Sequence, residues 1–379
     1  MNKVQKQFYD ILSTYFSKEE KSADYSDNKE ELKTIARVNM CVPFFLSAAP
    51  SFNVSDDELK QRVMFVVGHN YKNLTVQSVI LEKLKESGIK CVVLKGSSVS
   101  CNYPEPMLRT YGDIDILVAE EDYEKSIDIL TESKERDKLA SMHGFHYEFY
   151  YEGILVEIHK AVSDYGRDEE DIKMYMKNAL EQINTKCIEH FSFPVLAEDY
   201  QAITLLLHTK RHYLENNLVL KLLLDWAMYI DKADENLWNE KIYPLLKGLG
   251  LSRWADALNC VCEKYLNINC TNKIHKRYDD NITDDLAEMF ISDRLEENKE
   301  KIGRIEALVS TISRVNDIAI RDFKIVRKCR ILLPVFWPVI AIRYIYRMNI
   351  GFRKKVDIGA DSVDYQKKVR LLEKINNTK

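Results

Sequence analysis

Two aspartates one residue apart, Asp113 and Asp115, lie in the otherwise apolar stretch LRTYGDIDIL at residues 108–117. On a β-strand alternate side chains point to the same face, so both carboxylates project together while Ile114 and Ile116 point into a core. Neighbouring carboxylates repel each other, and burying them is costly without a cation. The pattern therefore predicts a cation, or water, at this point, and Mg²⁺ or Mn²⁺ suits these oxygen ligands.

A third carboxylate, Glu157, lies in the segment ILVEIHK at residues 154–160, between Val156 and Ile158. This segment predicts a strand whose acid completes a two-metal site for in-line displacement at phosphorus. His159 shares the strand face with Glu157, so it is expected either at the edge of the site or in a structural role. For the two aspartates alone, a solvated sheet face is the alternative interpretation, because a D-x-D motif is short.

Upstream, VVLKGSS at residues 92–98 predicts a strand that runs into a Gly-Ser turn and then a helix. Gly96 permits close approach of the backbone, and the N–H groups around Gly96 and Ser97 are expected to hold phosphate oxygens. Lys95 and Arg109 are further candidate nucleotide-binding residues, Lys95 as a point charge and Arg109 as a fork donor. For Arg109, an ion pair with a local acid is an equally good interpretation.

The order of these segments resembles that of a known family. The segments VVLKGSSVSCNYPEPMLRTYGDIDILV, LVEIHK, HTKRH and LLLDW are similar to the uncharacterised nucleotidyltransferase family of the DNA polymerase beta-type superfamily, over about residues 90–230. The resemblance implies that Asp113, Asp115 and Glu157 are catalytic and bind Mg²⁺, and that the substrate is an NTP such as ATP. It also implies transfer of a nucleoside monophosphate to an acceptor with release of pyrophosphate. The gap from Gly96 to Asp113 is longer than in better-known superfamily members.

The surrounding pattern predicts an α+β fold, with a small mixed sheet flanked by helices. Strands are expected at 89–96, at 111–118 and in a hairpin at 146–160, whereas residues 168–319 predict helices almost throughout. Four regions are expected along the chain: an N-terminal helical region at 1–88, a nucleotidyltransferase core at 89–196, a helical domain at 197–319 and a basic, apolar tail at 320–379.

The composition excludes several classes of protein. With 46% hydrophobic and 30% charged residues among 379, extended disorder is excluded. The eight cysteines lack paired-ligand spacing, so they indicate neither a zinc knuckle nor a disulfide framework. The N-terminus lacks an apolar signal core, which favours a cytoplasmic protein. The net charge of −4 and the absence of an obvious basic stretch beside the predicted site argue against a nucleic-acid partner.

The C-terminal tail raises a separate question. Residues 321–355 hold ten Lys/Arg against a single acid, Asp322, around an apolar run at 331–342. That run contains two prolines and is too short to span a bilayer. It therefore predicts either peripheral contact with an anionic membrane, with Trp337 in the interface, or docking on the helical domain with its arginines paired to acids.

A second histidine motif lies in the helical region. His208 and His212 are one helical turn apart, and Glu215 follows on the same face. This spacing can bind zinc, but the general-base glutamate of an HExxH motif is absent. Packing or acceptor binding are the alternatives.

These observations predict a Mg²⁺-dependent nucleotidyltransferase that modifies a hydroxyl or phosphate of a small molecule or of a glycan or lipid precursor. An enzyme of the same fold that modifies a protein or a tRNA end is a second hypothesis. A catalytically silent scaffold, or a membrane-associated interaction protein with the same fold, is the third. Three costly acids in one pattern favour an active enzyme.

Overall fold

A computed structural model describes residues 1–17, 21–54, 56–131, 141–143, 145–163, 169–215, 217–292, 304–349 and 358–378. Within these ranges, helices precede and follow one mixed β-sheet. The α+β fold class predicted from the sequence is therefore confirmed.

Among the described residues, the sheet has seven strands: β1 (Cys91–Val93), β2 (Ile114–Val118), β3 (Ser141–His143), β4 (His146–Tyr151), β5 (Ile154–His159), β6 (Ile183–Ile188) and β7 (Phe191–Leu196). Their order across the sheet is β3-β4-β5-β2-β1-β7-β6. β2 runs parallel to β5 and antiparallel to β1, and β1 runs parallel to β7. The strands predicted at 89–96 and 111–118 and the hairpin predicted at 146–160 are all present.

The hairpin of β6 and β7 shows that the prediction of nearly continuous helix over residues 168–319 was wrong in this part. Its turn contains Glu189 at φ 51° and has no glycine, so the usual turn signal is missing from the sequence. β7 also carries Pro194, which weakens the strand pattern. The strand forms because Val195 pairs with Val93 of β1, a partner distant in the sequence.

In the described ranges, the helices before or between the strands are α1 (Lys3–Ser17), α2 (Lys29–Val38), α3 (Val42–Ala48), α4 (Asp57–Glu86), α5 (Ser97–Ser100), α6 (Tyr123–Leu130) and α7 (Glu170–Met176). The helices after the sheet begin with α8 (Glu198–Leu214), α9 (Leu220–Lys232), α10 (Glu235–Leu237), α11 (Tyr243–Gly248) and α12 (Ser252–Leu266). They continue with α13 (Asp280–Ser292), α14 (Arg304–Asp322), α15 (Lys324–Lys328), α16 (Leu333–Asn349) and α17 (Ile358–Asn377).

The two faces of the sheet pack against different helices. Ile114 and Ile116 of β2 belong to one apolar cluster with residues of α4 and α6. Leu117 points the other way, into a larger cluster that α1, α2, α3, α8, α9, α12 and α13 share. Strand alternation places Asp113 and Asp115 on the same face as Leu117. A slip of one residue would exchange the two faces, so burial of both apolar sets fixes the register that directs these acids toward the helices.

Candidate active site

Asp113, Asp115 and Glu157 meet on the sheet face that is directed toward the helices. The parallel register of β2 and β5 places Asp115 beside Glu157, and Asp113 immediately precedes β2. One oxygen of each carboxylate lies within 4.8 Å of the others. Asp115 is buried, while Asp113 and Glu157 are half-buried. The three acids that the sequence pattern selected are thus neighbours in space.

A lysine and a histidine contact this carboxylate cluster. Lys95 Nζ lies 2.6 Å from Asp115 Oδ1, because β1 leads the lysine past β2 and Leu94 N donates to Asp115 O at 3.0 Å. His159 Nε2 lies 2.9 Å from Asp115 Oδ1 and 3.1 Å from Glu157 Oε2. Lys95 was predicted to contact the nucleotide, and His159 either to lie at the edge of the site or to have a structural role. Both side chains lie within the carboxylate cluster.

The two aspartates differ in their affinity for a proton. The charge of Asp115, together with burial, raises the pKa of Asp113 to about 7. Burial would also raise the pKa of Asp115, but the neighbouring Lys95 and His159 hold it well below its usual range. Among the described residues, no Lys, Arg or His nitrogen lies within 4.0 Å of Asp113. Asp113 is therefore the carboxyl of this cluster whose negative charge is least compensated by nearby positive charge.

The donor chemistry of the cluster suits a hard divalent cation. Three carboxylates offer the oxygen ligands that Mg²⁺ and Mn²⁺ prefer, and a cation between them would replace repulsion with attraction. Asp113, Asp115 and Glu157 are accordingly the residues of this chain that could hold such an ion. The raised pKa of Asp113 has the same physical origin, which is repulsion between neighbouring carboxylates. A carboxylate in such a cluster binds a proton when no other cation lies close to it.

Sequence reasoning missed His146, which lies beside this cluster on β4. It is buried, and its Nε2 is 2.8 Å from Glu148 Oε1. One ligand atom each of His146, Glu157 and His159 lies within 4.8 Å of the others. The hairpin register places His146 opposite His159 and Glu148 opposite Glu157. This register is the signal that could have identified His146 from the predicted hairpin.

The predicted phosphate turn lies against the backbone of the acidic strand. Gly96 has φ +61°, and a Cβ at this position would lie 3.6 Å from the carbonyl oxygen of Asp113. Ser97 is buried and donates its hydroxyl to Gln77 Oε1 of α4 at 2.6 Å. Contacts of Gly96 and Ser97 with phosphate stay predictions, and the serine hydroxyl already has a protein partner.

Arg109 forms a buried ion pair with Asp225 of α9. Its Nε lies 2.7 Å from Asp225 Oδ1, and its Nη2 lies 2.7 Å from Oδ2. Tyr103 donates its hydroxyl to the same carboxylate at 2.7 Å. These contacts favour the ion-pair interpretation, although the acid is distant in the sequence rather than local. The nucleotide-binding role of Arg109 stays a prediction that its observed contacts do not support.

We expect Arg109→Met and Asp225→Asn each to lower the free energy of unfolding by about 3–5 kcal/mol, because each leaves a buried charge without its partner. Asp225 cannot be a phosphate ligand, so similar losses in both variants would assign the pair a structural role. Urea unfolding followed by circular dichroism measures the effect. As a control, Lys60→Met removes an exposed ion pair with Asp57 and should change stability little. An Arg109 variant of full stability that binds NTP weakly would contradict this assignment.

Lys221, in the first turn of α9, is a cation that sequence reasoning missed. Its Nζ donates to the carbonyl oxygen of Thr110 at 3.3 Å, in the loop that leads to Asp113. Burial and the charge of Arg109 lower the pKa of Lys221 to about 8, against the opposing effects of Asp225 and Asp113. No carboxylate lies within 4.0 Å of Lys221 in the described part of the chain. Its signal in the sequence is a lysine inside the apolar segment LVLKLLLDW.

His208 and His212 lie on α8, with ring centroids 4.5 Å apart. His212 Nδ1 is 3.2 Å from the carbonyl oxygen of Asn217. Burial lowers the pKa of His212 to about 4 and the pKa of His208 well below its usual value, so both rings are neutral near pH 7. Glu215 pairs with Arg211 at 3.1 Å, and no third ligand joins the two histidines in the described ranges. A zinc site therefore has no support here, while packing and acceptor binding stay open.

Comparison with known proteins adds a family assignment to this geometry. A family model described as "Uncharacterised nucleotidyltransferase" matches residues 32–267, which is more than half of the chain. Searches of curated proteins and of solved structures found no match. The matched region includes the carboxylate cluster, the Gly-Ser turn and the helices α8 and α9. The resemblance inferred from the motifs is thereby confirmed, and the chain belongs to the uncharacterised nucleotidyltransferase family.

Proposed function

We propose that this protein is a cytoplasmic, Mg²⁺-dependent nucleotidyltransferase. It transfers a nucleoside monophosphate from an NTP to a hydroxyl or phosphate of an acceptor and releases pyrophosphate. The acceptor is a small molecule or a glycan or lipid precursor. The observation that carries the proposal is the meeting of Asp113, Asp115 and Glu157, each with an oxygen within 4.8 Å of the others, in a chain of this family.

The three carboxylates would hold Mg²⁺ or Mn²⁺, which would neutralise phosphate charge and polarise the reacting phosphoryl group. In the transfer, an acceptor oxygen forms a bond to the α-phosphorus, and the bond from that phosphorus to the pyrophosphate oxygen breaks. When the acceptor is a hydroxyl, its proton passes to a carboxylate oxygen, and we assign this step to Glu157. His159 donates to Glu157 and Asp115, so it keeps both side chains in place for these roles.

Three features would bind the phosphates of the NTP. The backbone at Gly96 and Ser97 lies beside Asp113 and offers N–H donors. Lys95 is held by Asp115 through its charge, and it could turn from this carboxylate to a phosphate when a divalent cation is bound. Lys221 is a half-buried cation without a carboxylate partner among the described residues, and a triphosphate would supply the missing negative charge.

The proposal predicts that metal and nucleotide bind together. A nonhydrolysable NTP should bind at least about tenfold more tightly with Mg²⁺ than without it, because the phosphates complete the oxygen shell of the metal. Isothermal titration calorimetry with the full chain measures both affinities. Asp113→Asn should remove the effect of the metal, whereas Glu148→Gln, on the neighbouring strand, should preserve it. Equal NTP affinity with and without divalent metal would contradict the proposal.

Transfer itself is tested by pyrophosphate release. The purified protein is incubated with each NTP, Mg²⁺ and pooled candidate acceptors, with Asp113→Asn as the inactive control. Release that depends on one acceptor pool and on Asp113 would identify the acceptor class. Metal-dependent NTP binding without release in any pool would favour the catalytically silent scaffold.

A further inference from the structure

The second half of the basic tail forms a helix that is attached to the protein by one face. Trp337 of α16 donates its indole N–H to Asn316 Oδ1 of α14 at 2.9 Å. Ile340 is buried in a small apolar cluster with Ala319 of α14 and Val326 of α15. Docking, one of the two interpretations of the tail, thus applies to one face of α16, which packs against α14 and α15. Trp337 lies on this docked face. It is therefore not on the side of α16 that could contact a membrane, unlike the position that the membrane interpretation of the sequence predicts for it.

The opposite face of α16 and of the turn before it is apolar and exposed. Ile331 is 88% exposed, Val335 is 65% exposed and Ile342 is 66% exposed. Six exposed apolar positions follow the spacing i, i+3, i+4, i+7, i+8 and i+11, which marks one side of a helix. We call this set the outer stripe, and it consists of Ile331, Pro334, Val335, Pro338, Val339 and Ile342.

Positive charge lies next to the outer stripe. Lys328 and Arg330 are exposed directly before it, and neither has a carboxylate within 4.0 Å in the described part of the chain. The sequence continues the bias beyond the stripe, since residues 321–355 hold ten Lys/Arg and one acid. An apolar face bordered by unpaired cations is complementary to a surface that is apolar inside and anionic outside.

We propose that the outer stripe binds the surface of an anionic membrane, with α16 lying parallel to the bilayer plane. The apolar side chains enter the boundary between headgroups and acyl chains, while Lys328 and Arg330 contact anionic headgroups. No helix among the described residues is long and apolar enough to cross a membrane. The charge bias favours a lipid surface over a second copy of this chain, because two such basic segments would repel each other. This inference is independent of the proposed catalytic activity.

The test is co-sedimentation of the full chain with vesicles of phosphatidylcholine alone or with phosphatidylglycerol added. We expect binding to the anionic vesicles at low salt, and we expect it to weaken strongly at 0.5 M NaCl because salt screens the charges. Lys328→Glu combined with Arg330→Glu should weaken binding by at least about 25-fold, since each lost cation accounts for about fivefold. Lys232→Glu changes an exposed lysine on α9 and serves as the charge control.

A second pair of variants tests the apolar contact. Val335→Asp combined with Ile342→Asp should abolish vesicle binding while leaving the melting temperature unchanged, because both side chains are exposed. Met64→Asp combined with Met174→Asp places the same charges at exposed apolar positions outside the tail and should leave binding intact.

Two results would overturn the inference. The first is no sedimentation of the parent protein with anionic vesicles at low salt. The second is equal binding of anionic vesicles by the parent protein and by the variant that carries Val335→Asp and Ile342→Asp. Suppose instead that the parent is a dimer by light scattering and binds no lipid, and that the protein with Val335→Asp and Ile342→Asp is a monomer. The outer stripe would then be an interface between copies of this chain.

Discussion

Asp113→Asn is expected to reduce nucleotidyl transfer by about 1000-fold or more and to leave the protein as stable as the parent or more stable. In the proposed function Asp113 is a metal ligand, so the variant would leave charge on the phosphates without this neutralisation in the transition state. It also removes a carboxyl that is repelled by Asp115 and has no cation within 4.0 Å among the described residues. Loss of activity and loss of stability should therefore separate at this position.

Asp115→Asn is expected to behave differently, although it lies only two residues away. Asp115 is the partner of Lys95 at 2.6 Å, so its removal leaves this half-buried lysine without its ion-pair partner, while His159, at 2.9 Å from Asp115, retains Glu157. We expect a loss of about 3–5 kcal/mol in the free energy of unfolding in addition to the loss of transfer. Glu157→Gln should cost about 1–2 kcal/mol, because His159 retains Asp115 as an acceptor.

Pyrophosphate release and thermal melting of the same preparations measure both effects. Glu148→Gln is the matched control, since Glu148 lies opposite Glu157 in the hairpin but is not one of the three cluster acids. An Asp113→Asn protein that keeps transfer at the parental rate would exclude the metal-binding role. An Asp113→Asn protein that unfolds would instead make this aspartate a structural residue.

Lys221→Met is expected to weaken the binding of Mg²⁺-NTP by about 10- to 100-fold, because a hydrogen bond between charged groups is lost. Lys221 Nζ is held only by a backbone carbonyl at 3.3 Å among the contacts that the structure describes. Both carboxylate oxygens of Asp225, the nearest acid on the same helix, already accept from Arg109. Among the described residues, the lysine is thus positioned without an ion-pair partner, beside the loop that leads to Asp113.

The same variant is expected to stabilise the protein without ligand. The pKa of Lys221 is lowered from 10.5 to about 8, so its charge disfavours the folded state wherever the lysine is protonated. The destabilisation is full below pH 8, decreases as the pH rises from 8 to 10.5, and vanishes above. Lys221 interacts electrostatically with five ionisable residues, which are Arg109, Asp225, Asp113, Cys41 and His208. We expect a gain of about 3 kcal/mol at pH 7 that falls below about 1 kcal/mol at pH 10.

Calorimetry with a nonhydrolysable NTP and unfolding at pH 7 and pH 10 measure these effects. Lys221→Arg keeps the charge and should retain most of the affinity, while Lys232→Met removes an exposed charge on the same helix and should change neither property. Affinity should fall from NTP to NDP to NMP in the parent and less steeply in Lys221→Met. If the parent binds NTP and Lys221→Met binds it equally well, the role of Lys221 is excluded and the proposed activity stands. If the parent binds no NTP, the proposed activity itself fails.

The sequence by itself determined the fold class, the family and the three acids. The fold class and the acids depend on local patterns, because strand periodicity decides which side chains share a face, whereas the family followed from the resemblance of the ordered motifs. Asp113 and Asp115 could therefore be placed together from their spacing alone. Glu157 could be added because its segment repeats the same alternation of acid and apolar residues. The β6–β7 hairpin was missed because its stability depends on pairing with β1, and its turn carries no glycine.

Only the tertiary structure decided which cation pairs with which acid. Lys95 contacts Asp115, Arg109 contacts Asp225, and Lys221 has no carboxylate within reach among the described residues. A sequence shows which charges exist, but the partner of a buried charge depends on how elements distant in the chain pack together. The same holds for α16, where composition alone allowed docking or membrane contact. Packing against α14 buries one face of that helix and leaves the outer stripe exposed.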